Sequence, residues 1–174
     1  MDSETVKPRR RTTRAVLLDP AGRVLLVRFN LPGRHGARET FDFWATVGGA
    51  IEPGESLRAA LAREILEETG LGEEDLEICG PVWHGEYDIY FEGANRRFEE
   101  HFYLVRTRQT KVSRAHLPYK ERSIIKEHRW WSVDQIRASK ERIYPPGLAD
   151  LLMPLTAGKI PGRIVEIRRE QQTC

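Results

Sequence analysis

Short apolar runs separated by turn signals occupy the first part of the chain and predict β-strands. Residues 15–18 and 24–27 are apolar and flank the turn sequence at 19–22, where proline pre-sets φ and glycine closes the turn. This pattern predicts a β-hairpin. Residues 41–47 predict a further short strand that runs into paired glycines, whereas the polar, glycine-containing segment 30–40 predicts a loop.

The segment 56–69 has the periodicity of a helix. Its apolar residues fall at every fourth position and form one stripe, made of Leu57, Leu61 and Ile65. Ser56 is suited to cap the first turn, and Gly70 is suited to end the helix in a left-handed conformation. The sequence therefore predicts a helix with one buried face.

Later segments predict a mixture of strands and short helices. The strands expected are 87–91, 98–105 and 128–133, the first two joined by a turn at 92–95, and the helices expected are 134–139 and 148–155. The polar segment 108–127 predicts a long connection, and 159–174 has no clear pattern. The elements together indicate an α/β (α+β) domain at 15–157, preceded by a flexible tail at 1–14 and followed by a C-terminal extension at 158–174.

Composition narrows the class of protein. The chain has 174 residues, of which 40% are hydrophobic and 31% charged, which is ordinary for a globular domain. It has no apolar run of the roughly 20 residues needed to span a bilayer and no apolar N-terminal segment, so we expect a cytoplasmic protein with no membrane partner. Two cysteines cannot form a disulfide scaffold.

The N-terminal tail is basic, although the chain as a whole is not. Its cations are Lys7, Arg9, Arg10, Arg11 and Arg14, and Pro8 interrupts them. A solvated arm and an arm that grips phosphate are both compatible with this pattern. The formal net charge of +2 does not indicate a nucleic-acid binder, so nucleic acid is not expected as a partner.

The predicted helix carries an unusual group of acids. Glu64, Glu67 and Glu68 are spaced i, i+3 and i+4 and therefore lie on one arc of the helix. Like charges at this spacing repel, and anions near a helix C-terminus oppose the helix dipole. A solvated acidic face is one interpretation. A site for a hard divalent cation such as Mg²⁺, which prefers oxygen ligands, is the other.

The residues around these acids complete a longer pattern. After Gly49 come five residues, then Glu55, seven residues, Arg63-Glu64-Ile65, one residue, Glu67-Glu68, one residue and Gly70-Leu71. This resembles the Nudix box at every fixed position, and chance would give such a match on the order of 10⁻¹⁰ times per start position. The resemblance covers residues 49–71 only.

The resemblance implies a fold, an activity and a set of residue roles. The fold is an α/β/α sandwich with a mixed central sheet, and the activity is hydrolysis of a nucleoside diphosphate linked to another group, with Mg²⁺ or Mn²⁺. Glu67 and Glu68 are the implied principal metal ligands, Glu64 a further ligand or the base that activates water, and the Gly48 carbonyl an extra ligand. An ion pair between Arg63 and Glu55 is implied to orient the loop and helix.

A further catalytic acid often lies outside the box in this family. Glu127, just before Trp130-Trp131, is our candidate, with Glu121 in the same connection as an alternative. Glu99 and Glu100 are further alternatives, of which only one can face a cleft because successive strand residues point to opposite faces.

Residues that would contact the substrate are less well defined. Arg34 and Arg38, on the predicted loop before the box, are candidates for phosphate contacts, and Trp44 is a candidate for stacking a base. Tyr87, 16 residues beyond Leu71, resembles a tyrosine of dinucleoside polyphosphate hydrolases. The substrate expected is a small nucleotide, either a dinucleoside polyphosphate or a nucleotide sugar such as ADP-ribose.

Two other functions stay open at this point. A Nudix-fold domain can bind a nucleotide in a regulatory role without turnover, although the intact glutamates argue against this. An RNA 5′-pyrophosphohydrolase would use the basic arm, but residues 1–14 carry none of the aromatic residues that single-strand binders often use. A homodimer is also left open.

Overall fold

The computed structural model of the chain describes residues 9–33, 36–91 and 94–167. Within these ranges the strands are β1 (Arg9–Leu18), β2 (Val24–Gly33), β3 (Gly36–Ala50), β4 (Leu76–Phe91), β5 (Ala94–Thr107), β6 (Ile125–Trp131), β7 (Ile143–Tyr144) and β8 (Val165–Ile167). The helices are α1 (Leu57–Thr69), α2 (Tyr119–Arg122), α3 (Val133–Ala138) and α4 (Leu148–Thr156), and Glu73–Asp75 forms a single 3₁₀ turn.

The strands form one mixed sheet in the order β6-β2-β3-β1-β5-β4-β8. β1 runs antiparallel to β3 and parallel to β5, so the chain's first strand lies at the centre of the sheet. β8 extends the far edge in parallel with β4, and β7 pairs with β3. Because β1 pairs with β3, Thr13 and Arg14, just before the predicted domain, lie opposite the paired glycines near the end of β3.

Two hydrophobic cores lie on opposite faces of this sheet. One packs α1 against Ala15, Leu17 and Val47, with Leu61 and Ile65 contributed by the helix. The other packs α3 and α4 against alternate residues of the same strands. These layers confirm the α/β/α sandwich expected from the sequence. No helix in the described ranges is both long enough and apolar enough to cross a membrane.

Both ends of α1 are capped as the sequence predicts. The backbone N–H of Ala59 donates to the Ser56 hydroxyl at 3.1 Å, which satisfies one of the free N–H groups of the first turn. Gly70 adopts a left-handed conformation with φ of 76°, and its N–H donates to the Leu66 carbonyl. The caps fix the register of the helix and hence the direction in which its glutamates point.

Sequence-based expectations differ from the structure in several places. Residues 165–167, expected in an extension outside the domain, form β8 and pair with β4 of the same sheet. Residues 9–14, expected in a flexible tail, belong to β1 and pair with both β3 and β5. Most of 30–40, expected as a loop, belongs to a long hairpin formed by β2 and β3. At 9–14 and at 30–40, charged and polar residues interrupt the apolar alternation that identifies a strand in the sequence. The strand that pairs with 9–14 in parallel, β5, lies far along the chain.

Candidate active site

Gly48 and Gly49 bring the backbone at the end of β3 into unusually close contact with its neighbours. Gly48 has a φ of 134°, and a Cβ at this position would lie 2.1 Å from the Thr13 carbonyl oxygen. A Cβ at Gly49 would lie 2.6 Å from Oε1 of Glu64. Glycine is required at position 48, where the obstructing atom is backbone, and a side chain at position 49 would displace the carboxylate of Glu64. The backbone at the end of β3 is therefore in direct contact with a carboxylate of α1.

Glu64 and Glu68 direct their carboxylates into the protein from α1. They expose 6% and 2% of their surface, and the Gly48 N–H donates to Oε2 of Glu68 at 3.0 Å. Glu67 is less buried and receives a hydrogen bond from Nη1 of Arg63 at 3.4 Å. The structure therefore brings the three acids of the sequence pattern together beside the end of β3.

Burial governs the ionisation of these acids. Burial raises the pKa of Glu64 to about 7, and the neighbouring Arg63 only partly opposes this effect. Burial also raises the pKa of Glu68 well above its usual range, and the charge of Glu64 adds to the shift. Two carboxylates held in these surroundings need an added positive charge to stay ionised together.

Arg63 connects the loop before α1 to the helix. Its guanidinium donates to both oxygens of Glu55 at 2.9 Å, to the Ala50 carbonyl at 2.9 Å and to Oε1 of Glu64 at 2.9 Å. The forked bond to Glu55 matches the ion pair that the sequence implied. Arg63 thus orients the backbone after Gly49 and one carboxylate at the same time.

Arg14 is a part of the site that sequence reasoning missed. Its Nη1 donates to the Gly48 carbonyl at 2.8 Å, and its Nε donates to Oε1 of Glu100 at 2.9 Å. Burial tends to lower the pKa of Arg14, but Glu100 and Glu68 raise it above its usual value. In the sequence it is a charged residue immediately before an apolar run, a pattern that predicts the end of a tail.

The Gly48 carbonyl therefore has a partner within the protein. A carbonyl oxygen has two lone pairs, so the bond from Arg14 leaves one for a cation. Glu100, one of the alternatives for the additional acid, is buried against Thr12 and Arg14. It is a counter-ion of Arg14 rather than a free acid.

Among the candidates for the additional acid, Glu121 is the one whose charge acts on the acids of the box. Its charge contributes to the raised pKa of both Glu64 and Glu68. Burial, together with the charge of Glu67, raises the pKa of Glu121 itself. The first candidate, Glu127, instead pairs with Arg129 at 2.7 Å and with Arg28 at 3.7 Å. The contacts of the described residues therefore favour Glu121 over Glu127.

Of the four candidate substrate residues, the structure describes the side chains of Trp44 and Tyr87. Trp44 exposes 1% of its surface, packs edge-on against Trp131 and donates from Nε1 to Glu141, so it is a core residue and the stacking role expected for it is wrong. Tyr87 lies opposite Phe98 in the β4–β5 hairpin and is half-buried. Arg34 lies outside the described residues, and Arg38 is described only by its backbone in β3.

The carboxylate cluster fits a hard divalent cation. Its ligand atoms would be carboxylate oxygens of Glu64, Glu67 and Glu68, the type of donor that Mg²⁺ and Mn²⁺ prefer. Oε2 of Glu121 is buried and receives no hydrogen bond from the described residues. A buried oxygen without a hydrogen-bond donor needs a water or an ion as its partner. The Oε2 atom of Glu121 is therefore compatible with a hydrated cation held by the neighbouring glutamates.

Comparison with known proteins gives a consistent family. A model of the NUDIX domain matches residues 8–151, which is most of the chain. A comparison with curated protein sequences finds no match.

Solved structures of several proteins share the fold. A NUDIX hydrolase from Nitrosomonas europaea is 26% identical, with 88% of this chain and 92% of that chain covered and a TM-score of 0.59. An Ap4A hydrolase from C. elegans is 18% identical, with coverages of 86% and 96% and a TM-score of 0.58. An ADP-ribose pyrophosphatase from Streptococcus suis is 17% identical, with coverages of 92% and 98% and a TM-score of 0.54.

Proposed function

The chain belongs to the Nudix hydrolase family, and from this premise we propose that it is a metal-dependent pyrophosphohydrolase of nucleoside diphosphate derivatives. The observation that carries the proposal is the burial of Glu64 and Glu68 against the Gly48–Gly49 backbone. Two carboxylates nearly excluded from water are costly unless a cation joins them. A binding module that only held a nucleotide would have no need of this arrangement.

The residues of the cluster have separable roles in this proposal. Glu64, Glu67 and Glu68 would hold Mg²⁺ or Mn²⁺, which when bound supplies positive charge to phosphate oxygens and lowers the pKa of water. Arg63 orients Glu64, and the Gly48 N–H orients Glu68. These bonds fix the carboxylates before substrate arrives, so little reorganisation remains at the moment of reaction.

Glu121 is the group we assign as proton acceptor. It is half-buried, its Oε2 has no protein donor among the described residues, and its raised pKa makes it a stronger base than an exposed carboxylate. In the reaction, the water oxygen forms a bond to one phosphorus while the bridging P–O bond breaks. The water proton passes to Glu121, and the second phosphoryl group leaves with the bridging oxygen.

Two substrate classes remain in the proposal. Dinucleoside polyphosphates and nucleotide sugars such as ADP-ribose both contain the required pyrophosphate bond. The two neighbours named for Ap4A and for ADP-ribose are 18% and 17% identical, so their likeness is one of fold and favours neither class. Tyr87, half-buried in the β4–β5 hairpin, is the one cue that points toward dinucleoside polyphosphates.

A substrate panel tests the proposal directly. Ap4A, ADP-ribose and a 5′-triphosphate RNA would be incubated with Mg²⁺ or Mn²⁺, and the products separated by chromatography. We expect cleavage of at least one small nucleotide, abolished by a chelator and reduced at least about 100-fold in Glu68→Gln. Metal-dependent binding without turnover of any substrate would instead support a regulatory domain.

The assignment of Glu121 needs its own comparison. Glu121→Gln and Glu127→Gln remove the same charge from two positions six residues apart. We expect the first to lower kcat by about 100-fold or more and the second to leave it near the wild-type value. The reverse result would restore Glu127 as the additional acid.

A further inference from the structure

A second group of metal-ligating side chains lies on the β4–β5 hairpin, away from the residues of the box. His84 on β4 is directly opposite His101 on β5. Glu99 lies two residues before His101, so both side chains point to the same face of the sheet. On the other side of β4, Glu166 of β8 is directly opposite His84. Three hydrogen-bonded strands therefore hold the group in a fixed register.

The ligand atoms of this group converge. Nε2 of His101 lies 3.1 Å and Nε2 of His84 lies 3.9 Å from the same atom, Oε1 of Glu99. One ligand atom from each of the three residues lies within 4.8 Å of the others. The centroids of the two rings lie 5.0 Å apart, with the ring planes tilted by 46°. Two imidazole nitrogens and one carboxylate oxygen thus surround a common point.

Glu166 orients the first of these histidines. Nδ1 of His84 lies 2.8 Å from Oε2 of Glu166. With Nδ1 bonded to this carboxylate, the other ring nitrogen of His84, Nε2, is the one that faces Glu99. A carboxylate bonded to the outer nitrogen of a histidine is the arrangement found behind most histidines that ligate metals.

The second histidine is held in place by Glu99. Nε2 of His101 lies at hydrogen-bond distance, 3.1 Å, from Oε1 of Glu99, and a bound ion would replace the proton of that bond. Partial burial on a rigid strand limits the rotation of the ring, so little order has to be gained on binding.

Two arginines also reach Glu99 and must be weighed against a cation. Nε of Arg9 lies 3.1 Å and Nε of Arg11 lies 3.6 Å from Oε2, which leaves Oε1 to face the histidines. Both arginines are more than half exposed, so solvent screens their charge. Arg9 is in addition shared with Glu86. Their effect is to hold Glu99 with a single oxygen directed toward the imidazoles.

We propose that His84, Glu99 and His101 form a binding site for a transition-metal ion such as Zn²⁺, with Glu166 as a positioning residue. Imidazole-rich sites suit Zn²⁺, Ni²⁺ and Cu²⁺, whereas the all-oxygen cluster on α1 suits Mg²⁺ or Mn²⁺. Three protein ligands leave a fourth tetrahedral position open to water or a further ligand. The ion would link β4 to β5 directly, and β8 would contribute through the bond from Glu166 to His84.

Zinc binding by the metal-stripped full-length protein tests the proposal. Affinity would be measured by competition with a chromophoric chelator, in saturating Mg²⁺ so that the carboxylates of α1 are occupied. We expect His84→Asn and His101→Asn each to weaken Zn²⁺ binding by at least about 100-fold, and Glu166→Gln to weaken it by about 10-fold. His116→Asn, in the exposed connection, is the matched control and should bind as the wild type does.

Spectroscopy keeps the test decisive if a histidine variant fails to fold. X-ray absorption of the wild type with one equivalent of Zn²⁺ should show two imidazole ligands and a shell completed by oxygen. An oxygen-only shell, no binding by the wild type at micromolar Zn²⁺, or equal affinity in the wild type and the two histidine variants would overturn the site. Loss of Zn²⁺ binding in Glu68→Gln would likewise show that the ion occupies the box.

Discussion

Replacing Glu64 with glutamine should stabilise the metal-free protein at alkaline pH. Burial raises the pKa of Glu64 from the ordinary value of 4.5 to about 7 in the folded state. At a pH above both values, this difference lowers the free energy of unfolding by about 3 kcal/mol. Glutamine keeps the shape of the side chain and an oxygen for the bond from Arg63, but it has no charge to desolvate.

The sign of the pH dependence follows from proton binding. Between pH 4.5 and about 7, the folded state holds a proton on Glu64 that the unfolded state has released. The free energy of unfolding should therefore fall as pH rises through this window and stay low above it. Burial raises the pKa of Glu68, which acts in the same direction, and lowers the pKa of His128, which acts in the opposite one. Subtracting the wild-type curve from that of Glu64→Gln removes the contribution of His128 and leaves that of Glu64 together with its effect on the pKa of Glu68.

Urea unfolding in the presence of a chelator measures the effect. Buried tryptophans such as Trp83 and Trp131 report the loss of structure by fluorescence. We expect the variant to exceed the wild type by about 3 kcal/mol at pH 8, a midpoint shift of about 1–2 M urea, and by about 1 kcal/mol at pH 5. Glu73→Gln, on an exposed turn, should show no such difference. A variant no more stable than the wild type at pH 8 would refute the reasoning.

Three further outcomes follow from the same contacts. Mg²⁺ or Mn²⁺ should raise the melting temperature of the wild type and raise it less in Glu68→Gln, because the ion binds only the folded site. Arg14→Met should lower the free energy of unfolding by about 3 kcal/mol, measured by urea titration, because it leaves Glu100 buried without its counter-ion; Arg14→Met/Glu100→Leu should regain part of this loss. Deleting residues 1–8 should leave kcat and the melting temperature unchanged, whereas deletion through Arg11 removes residues of β1 and should lower both.

The local part of the fold could be read from the sequence. The helix α1, its Ser56 cap and its Gly70 end are set by contacts within about four residues, and all are present in the structure. Of the predicted stripe, Leu61 and Ile65 are buried and Leu57 is half-buried. The start of β1 could not be read in the same way. Arg9 and Arg14 lie in the sheet because β5, more than 80 residues later, supplies Glu99 and Glu100 as partners. A charge run looks solvated until its distant counter-ions are known.

The candidate site also has a part that is set by local spacing and a part that depends on residues distant in sequence. Glu64, Glu67 and Glu68 share one helix, so their spacing alone predicts that they meet. Glu121 lies on a connection whose path the sequence does not specify, so its interaction with these acids could not be predicted. Trp44 has the side chain of a stacking residue, but in the structure it is packed against Trp131. Alternation along a strand indicates that two faces exist, but which face is covered depends on helices elsewhere in the chain.

The charge balance around α1 makes a last prediction about binding itself. Four carboxyl groups lie there, Glu64, Glu67, Glu68 and Glu121, and the cations that act on them are Arg10, Arg14 and Arg63. Arg14 and Arg63 are also shared with other carboxylates. A nucleotide polyphosphate is an anion, and without a divalent cation the carboxyl oxygens of this surface offer its phosphate oxygens no positive charge. A chelator should therefore abolish binding of a non-hydrolysable nucleotide as well as turnover, measured by calorimetry with and without Mg²⁺. Binding that persists unchanged in chelator would mean that the nucleotide is held elsewhere and that the carboxylates of α1 do not face its phosphates.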